Sequence, residues 1–229
     1  MHVPDGFLDA PTSIATGAVA VAGVAVALRK ARTELDDRTA PMAGLVAAFI
    51  FAGQMMNFPV GAGTSGHLLG GALAAVLVGP WTGALCISVV LIVQALFMAD
   101  GGVTALGTNI TLMGLVGVGV GYVVFRAVVA VLPKRIASVP PAAAIAALVS
   151  VPVAAAVFTL FFAIGGTAPV DTGKVLTAMV GWHVVIGIGE AAVTGLVVAA
   201  VLSARPDLVH GARHLGDERE LVIRKAVQA

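Results

Sequence analysis

Seven apolar runs make up most of this chain, over residues 11–28, 41–57, 67–79, 81–99, 107–132, 141–165 and 175–203. Among Asp, Glu, Lys and Arg, only Arg126 and Glu190 fall inside them. A helix needs roughly 20 mostly apolar residues to cross the hydrocarbon of a bilayer. Most of the runs meet that length, and Gly, Pro or charge punctuates each break: Arg29-Lys30 with Pro41, Pro59-Val60-Gly61, Gly79-Pro80, Asp100-Gly101-Gly102, Pro133-Lys134, and Gly165-Gly166 through Pro169. Composition agrees, with 59% hydrophobic and 11% charged residues in 229 and a mean hydropathy of +1.03. So little polar surface cannot cover a chain of this length in water, and lipid is its expected solvent. The apolar mass is mainly Ala, Val, Leu and Gly, small residues that let helix backbones approach closely in a bilayer. The expected fold class is therefore an all-α integral membrane protein of about seven transmembrane helices.

Charge distribution sets the expected orientation. With seven spans and the N-terminus outside, Arg29, Lys30, Arg32, Arg38, Arg126, Lys134 and Arg135 face inward. Arg205, Arg213, Arg219, Arg224 and Lys225 join them on the C-terminal tail, so 12 of the 13 basic residues lie on one side. Only Lys174 falls outside, a strong positive-inside pattern. The alternative of six spans, with Gly79-Pro80 merely kinking one long segment, splits the basic clusters between the two sides. The domain reading is a membrane domain over 1–205 and a charged cytoplasmic tail over 206–229. Asp5, Asp9, Asp100 and Asp171 give the outer face a mildly acidic mouth, either ordinary loop charge or a cation-concentrating field. Nothing basic precedes the first run, so it does not read as a cleaved signal peptide and Met1 is expected to stay. The single cysteine, Cys86, lies within an apolar run and reads as packing.

Polar groups at membrane depth are costly and so are candidates for function. Met1 supplies an α-amine, and His2 supplies a backbone amide nitrogen and an imidazole. These three nitrogens are covalently placed to close two small chelate rings on one metal ion. A deprotonated amide ligand favours square-planar geometry, and hence Ni(II) or Cu(II) over Zn(II) or Mg(II). One position stays open. Glycines flank His67 in Gly61-Ala62-Gly63-Thr64-Ser65-Gly66-His67-Leu68-Leu69-Gly70-Gly71 and leave room for another backbone. Thr64 and Ser65 read as N-cap residues, which puts His67 in the first turn of the third span, on the outer side with Met1. At roughly 3.5 Å per residue, the first eight residues reach back to that turn, making His67 the candidate fourth nitrogen. His183 and Glu190 share a helix face about 10 Å apart along the axis. Glu190 reads first as interhelical glue, partnered by a group such as Asn57 or Gln94, and second as part of a substrate path. Asn109 is a candidate to hold a ligating imidazole in position, unless it or Thr108 simply caps the fifth span.

No Walker A motif is present, because Thr172-Gly173-Lys174 runs into Val175 without the upstream glycine. No metalloprotease or serine-hydrolase signature is present either. The chain is not expected to be an enzyme or to use an organic cofactor.

These motifs resemble a family. Met1-His2-Val3-Pro4-Asp5-Gly6-Phe7-Leu8 is similar to the start of CbiM/NikM proteins, the substrate-binding S components of cobalt and nickel energy-coupling-factor transporters. The likeness continues through Gly66-His67-Leu68-Leu69-Gly70-Gly71, Gly79-Pro80-Trp81, Gln94-Ala95-Leu96-Phe97 with Asp100-Gly101-Gly102, and Leu106-Gly107-Thr108-Asn109. It ends at Trp182-His183 with Gly187-Ile188-Gly189-Glu190, so it covers nearly all of 1–203. The resemblance implies seven transmembrane helices, six shared with other S components. It implies a metal held by Met1, His2 and His67, and it implies partners: two cytoplasmic ATPases, a transmembrane coupling protein and a small accessory membrane subunit. The Pro4-Asp5-Gly6 opening leans toward the nickel branch. The leading expectation is a subunit that binds Ni(II) or Co(II) outside and delivers it inward with ATPase partners, in the cell membrane and without nucleic acid. A self-sufficient metal channel or secondary carrier is the alternative, and an intramembrane enzyme using His183 and Glu190 is third.

Overall fold

The computed structural model describes residues 1–37, 39–61 and 64–213, so the rest of the expected tail, 214–229, lies outside the described residues. Helix α1 (Ala10–Lys30) opens where the Asp9 side chain accepts from the Thr12 amide and Pro11 occupies the first turn, where its missing N–H costs nothing. It ends on Arg29 and Lys30, cations placed at the negative end of the helix dipole. Helix α2 (Ala40–Gln54) again starts at a proline, Pro41. A short antiparallel hairpin follows, β1 (Phe58–Gly61) and β2 (Thr64–Gly66), pairing Phe58 with Gly66 and Pro59 with Ser65. Then come α3 (Gly71–Val78), α4 (Pro80–Phe97) and α5 (Leu106–Asn109). A π-helical segment, Ile110–Gly117, runs from α5 into α6 (Val118–Val131), and α7 (Val139–Gly165) and α8 (Thr172–Ala204) complete the order.

Five stretches are long and apolar enough to cross a membrane: Ala10–Thr33, Pro80–Phe97, Leu106–Val131, Ile136–Gly165 and Thr172–Ala204. The chain is a multi-pass membrane protein. All seven expected runs contain helix, but the third does not form the helix expected over 67–79. Thr64–Gly66 is a strand rather than an N-cap, His67 lies in extended chain, and the helix begins only at Gly71. Gly70 at φ 76° turns the chain into α3, and Gly79 at φ 97°, ψ 156° ends it. Both are backbone states that glycine adopts without strain. Because Gly79 leaves the helical region altogether, α3 and α4 are two helices, not one kinked helix. At about 1.5 Å per residue, α3 is far too short to span a bilayer alone.

Every residue of α3 is nevertheless buried, because its neighbours crowd it with backbone. A Cβ on Gly71 would lie 2.8 Å from the Gly117 carbonyl carbon, one on Gly121 would lie 2.9 Å from Ala72 Cα, and one on Gly83 would lie 3.1 Å from the Ala74 carbonyl carbon. Close backbone packing through small residues is how helices associate where lipid removes the hydrophobic drive. Large apolar side chains such as Ile14, Leu45, Phe97, Ile164 and Leu196 point outward instead, as a lipid-facing surface requires. The beginning of the tail packs back, with Val209 and Ala212 buried.

Candidate metal centre

The first nine residues are not a loose end. Asp9 donates its amide to the Gly165 carbonyl (2.7 Å), and Leu8 bridges Gly166 in antiparallel fashion. Thr104 clamps Asp5 through its amide (2.7 Å) and hydroxyl (2.5 Å), and these bonds hold the Asp5 carboxyl below its usual range. Val3 is held at both ends of its peptide unit: its N–H donates to Asn109 Oδ1 (2.7 Å), and its carbonyl accepts from Asn109 Nδ2 (3.1 Å) and from the Gly102 amide (2.9 Å). The segment is thus stitched to the α4–α5 connection and to the end of α7, and Met1 and His2 are carried inside.

Met1 is 0% exposed. Burial lowers its α-amine from 8.0 to about 4, with Asp100 pulling the other way, so the docked amine is neutral and offers a lone pair at neutral pH. His2 is also buried. Its Nε2 bonds Gln94 Oε1 at 3.3 Å, and its other ring nitrogen is Nδ1. That is the nitrogen that can close a ring with the residue's own amide. Asp100 Oδ1 sits 3.1 Å from Nδ1, within ion-pair reach but without hydrogen-bond geometry. Burial works to raise the Asp100 carboxyl, but His2 and Asn57 outweigh it and leave it below the usual range. Gly101, at φ 90°, lets this turn press against the imidazole, since a Cβ there would lie 3.1 Å from His2 Cδ2.

His67 comes from the extended stretch before α3 and stacks on His2, with ring centroids 4.5 Å apart and planes 27° apart. Its Nδ1–H donates to the Leu68 carbonyl (2.7 Å), leaving Nε2 buried and without a partner. The stretch is fixed from α8: Glu190 accepts from the Leu69 amide (2.6 Å) and the Gly70 amide (2.9 Å). Gln54 adds a bond from Nε2 to the Leu69 carbonyl (2.8 Å). The expected side-chain partners of Glu190 are therefore corrected. Asn57 instead donates to Asp100 (3.0 Å), and Gln94 bonds His2. Asn109 is no helix cap either, because α5 begins after Ala105. Thr108 bonds Thr16 of α1 at 2.6 Å.

Met1, His2, His67 and Asn109 thus meet in one place, Glu190 supports it through backbone, and His183 lies buried on the same α8 face that the His67 stretch follows. Sequence reasoning missed Gln94 and Asp100 as the groups facing His2. Their signal was there, a polar residue one turn from the end of an apolar helix and the acid just beyond it. Only folding shows that both turn toward residue 2. Among the described residues, no three His, Cys, Asp or Glu side chains converge on one metal-sized point.

The family model for the cobalt uptake substrate-specific transmembrane region, CbiM, matches residues 2–208. The chain belongs to the CbiM family. A relative in Haloquadratum walsbyi, described as a metal transport protein, is 40% identical over 209 residues, 91% of this chain and 93% of that one. A relative in Archaeoglobus fulgidus, described as a fused nickel transport protein NikMN, is 38% identical over 209 residues, 91% of this chain and 68% of that one. A crystal structure of a truncated transition metal transporter superposes with a TM-score of 0.82 at 31% identity, over 89% of this chain and 99% of that one. The CbiM match takes in every residue of the candidate centre except Met1.

Proposed function

We propose that this CbiM-family chain is the substrate-binding membrane subunit of an ATP-driven importer of Ni(II) or Co(II). It has seven membrane segments, with the N-terminus outside and the C-terminus in the cytoplasm. The membrane domain is 1–205 and the cytoplasmic tail 206–229. The ion is the cargo. It is held by the Met1 α-amine, the His2 amide nitrogen and Nδ1, and His67 Nε2, with Asn109 and Glu190 holding the chain that carries them. Two cytoplasmic ATPases, a transmembrane coupling protein and a small accessory membrane subunit drive its release inward. The fused NikMN relative supports an association with further transport components.

One observation carries the reading. An α-amine is buried at 0% exposure next to two stacked imidazoles; His67 keeps Nε2 without a hydrogen-bond partner, and His2 Nδ1 has only Asp100 Oδ1 beside it, at 3.1 Å. Buried polar nitrogens ordinarily find partners, and nitrogens left this way suit a transition metal. The planar set favours Ni(II), and Co(II) remains a substrate of such a site.

The test is a titration of purified protein with Ni(II), followed by d–d absorption. One uncleaved residue added before Met1, or His67→Ala, is expected to abolish tight binding and the yellow, diamagnetic nickel form. An extended variant that binds Ni(II) as the parent does overturns the chelate.

A further inference from the structure

The site contains one more imidazole than a four-nitrogen plane uses. His183 is 0% exposed, and its Nδ1–H donates to the Met179 carbonyl at 2.6 Å, one turn earlier on α8. Its Nε2 is therefore an unprotonated nitrogen, buried and without a hydrogen-bond partner. His67 has the same arrangement, with Nδ1 tied to a main-chain carbonyl and Nε2 left over. Two rings fixed in one tautomer with idle Nε2 lone pairs are prepared as ligands, because the bond at the far nitrogen orients a metal-binding imidazole.

Placement brings the α8 face that carries His183 to the His67 stretch. Along α8, His183, Ile186 and Glu190 are all buried and follow one another at helical spacing on one face. The His67 stretch lies along that face. Gly66 packs so closely that a Cβ there would be 2.8 Å from Ile186 Cδ1, while the Leu69 and Gly70 amides end on Glu190. His183 is one turn from Ile186, toward the N-terminal end of α8, where Trp182 meets Phe58 of the hairpin.

His183 does not join His2 and His67 around a single ion, because no three such side chains converge among the described residues. We propose that His183 is a transit ligand: with His67 it forms a two-imidazole station on the outward side of the planar site, through which the ion enters and leaves the chelate. This rests on the proposed chelate and on the N-terminus-outside orientation. The ion moves by ligand exchange, keeping His67 Nε2 while His183 Nε2 is traded for the Met1 and His2 nitrogens; the His2 amide proton passes to water as its nitrogen binds, with no redox step.

A transit ligand has a kinetic signature. It lowers the barrier in both directions, so its loss slows association and dissociation alike and leaves their ratio unchanged. Stopped-flow absorption with Ni(II) on the full chain in detergent measures both rates. In His183→Ala, both are expected to slow by about tenfold, a scale at which groups supporting metal sites act, with equilibrium affinity unchanged. His183→Asn, whose amide N–H can still reach the Met179 carbonyl, should behave the same way if the lone pair is what matters. Unchanged rates, or a weaker affinity caused by faster dissociation, overturn the proposal. A second measurement leaves His183 in place. The N-terminally extended chain should keep a weaker Co(II) site that reports imidazole coordination, and complete loss of binding there overturns the station. Undiminished tight binding in that same variant overturns the chelate instead.

Discussion

Asn109 bonds both main-chain groups of Val3, so one side chain fixes the chain just after His2. Asn109→Ala removes both bonds at once. It is expected to weaken Ni(II) binding by about 10–100-fold, the usual cost of losing a group that holds a ligand in place. Titration of the purified variant measures this, and an affinity equal to the parent's would show that Asn109 only packs. The buried Met1 amine makes the metal-free segment sensitive to pH. Docking lowers the amine from 8.0 to about 4. Between those values the undocked chain binds a proton that the docked chain refuses, so docking strengthens as pH rises. Its full contribution is present above about pH 8 and is lost progressively as pH falls toward 4. Hydrogen exchange at the Val3 amide, corrected for the intrinsic rate, should therefore quicken between pH 8 and 5 in the metal-free protein. Constant protection would contradict it.

Two carboxylates perform the same task at opposite breaks of the chain. Glu190 receives the amides just ahead of α3, and Glu34, also buried, receives the Trp81 amide (3.1 Å) and Thr82 amide (2.7 Å) at the start of α4. A negative charge suits a helix N-terminus, where unpaired N–H groups concentrate positive potential. Glu34→Ala leaves buried amides without acceptors and is expected to cost about 1–3 kcal/mol, read as a lower thermal midpoint in detergent, with the metal site unchanged. Glu190→Gln should act on function as well. An amide cannot accept at both positions, so the stretch carrying His67 loosens and Ni(II) affinity falls. If Glu190→Gln lowers stability while affinity holds, Glu190 serves the fold alone.

At the scale of the molecule, a short buried helix packs among longer ones, and the lipid-facing surface is left to large apolar side chains. Gly121 permits the contact between α3 and α6, so Gly121→Val is expected to overpack it by about 1–3 kcal/mol. The proposed orientation is testable by labelling with a membrane-impermeant thiol reagent in a Cys86→Ala background. Cysteine at Lys174 should react from outside, and cysteine at Lys134 only after the inner face is opened. The reverse pattern would invert the topology and with it the outward station.

The sequence alone determined that lipid is the solvent and where six of the seven helical runs lie, and it singled out Met1, His2 and His67 as candidate ligands. Each follows from local properties: hydropathy summed along a run, glycine and proline at the breaks, and a chelate built from adjacent covalent bonds. The third run misled, because eight apolar residues after a Gly-rich stretch look the same whether helix starts at 67 or 71. Gly70 at positive φ, held by Glu190 from far along the chain, decides it. The folded structure also chose the partners. Gln94 and Asp100 reach His2, and His183 comes to lie beside the His67 stretch, because helices distant in sequence pack face to face. No local pattern records which faces meet. The proposed Met1-His2 chelate draws on adjacent covalent bonds, but the burial of these residues beside His67 was settled only by packing.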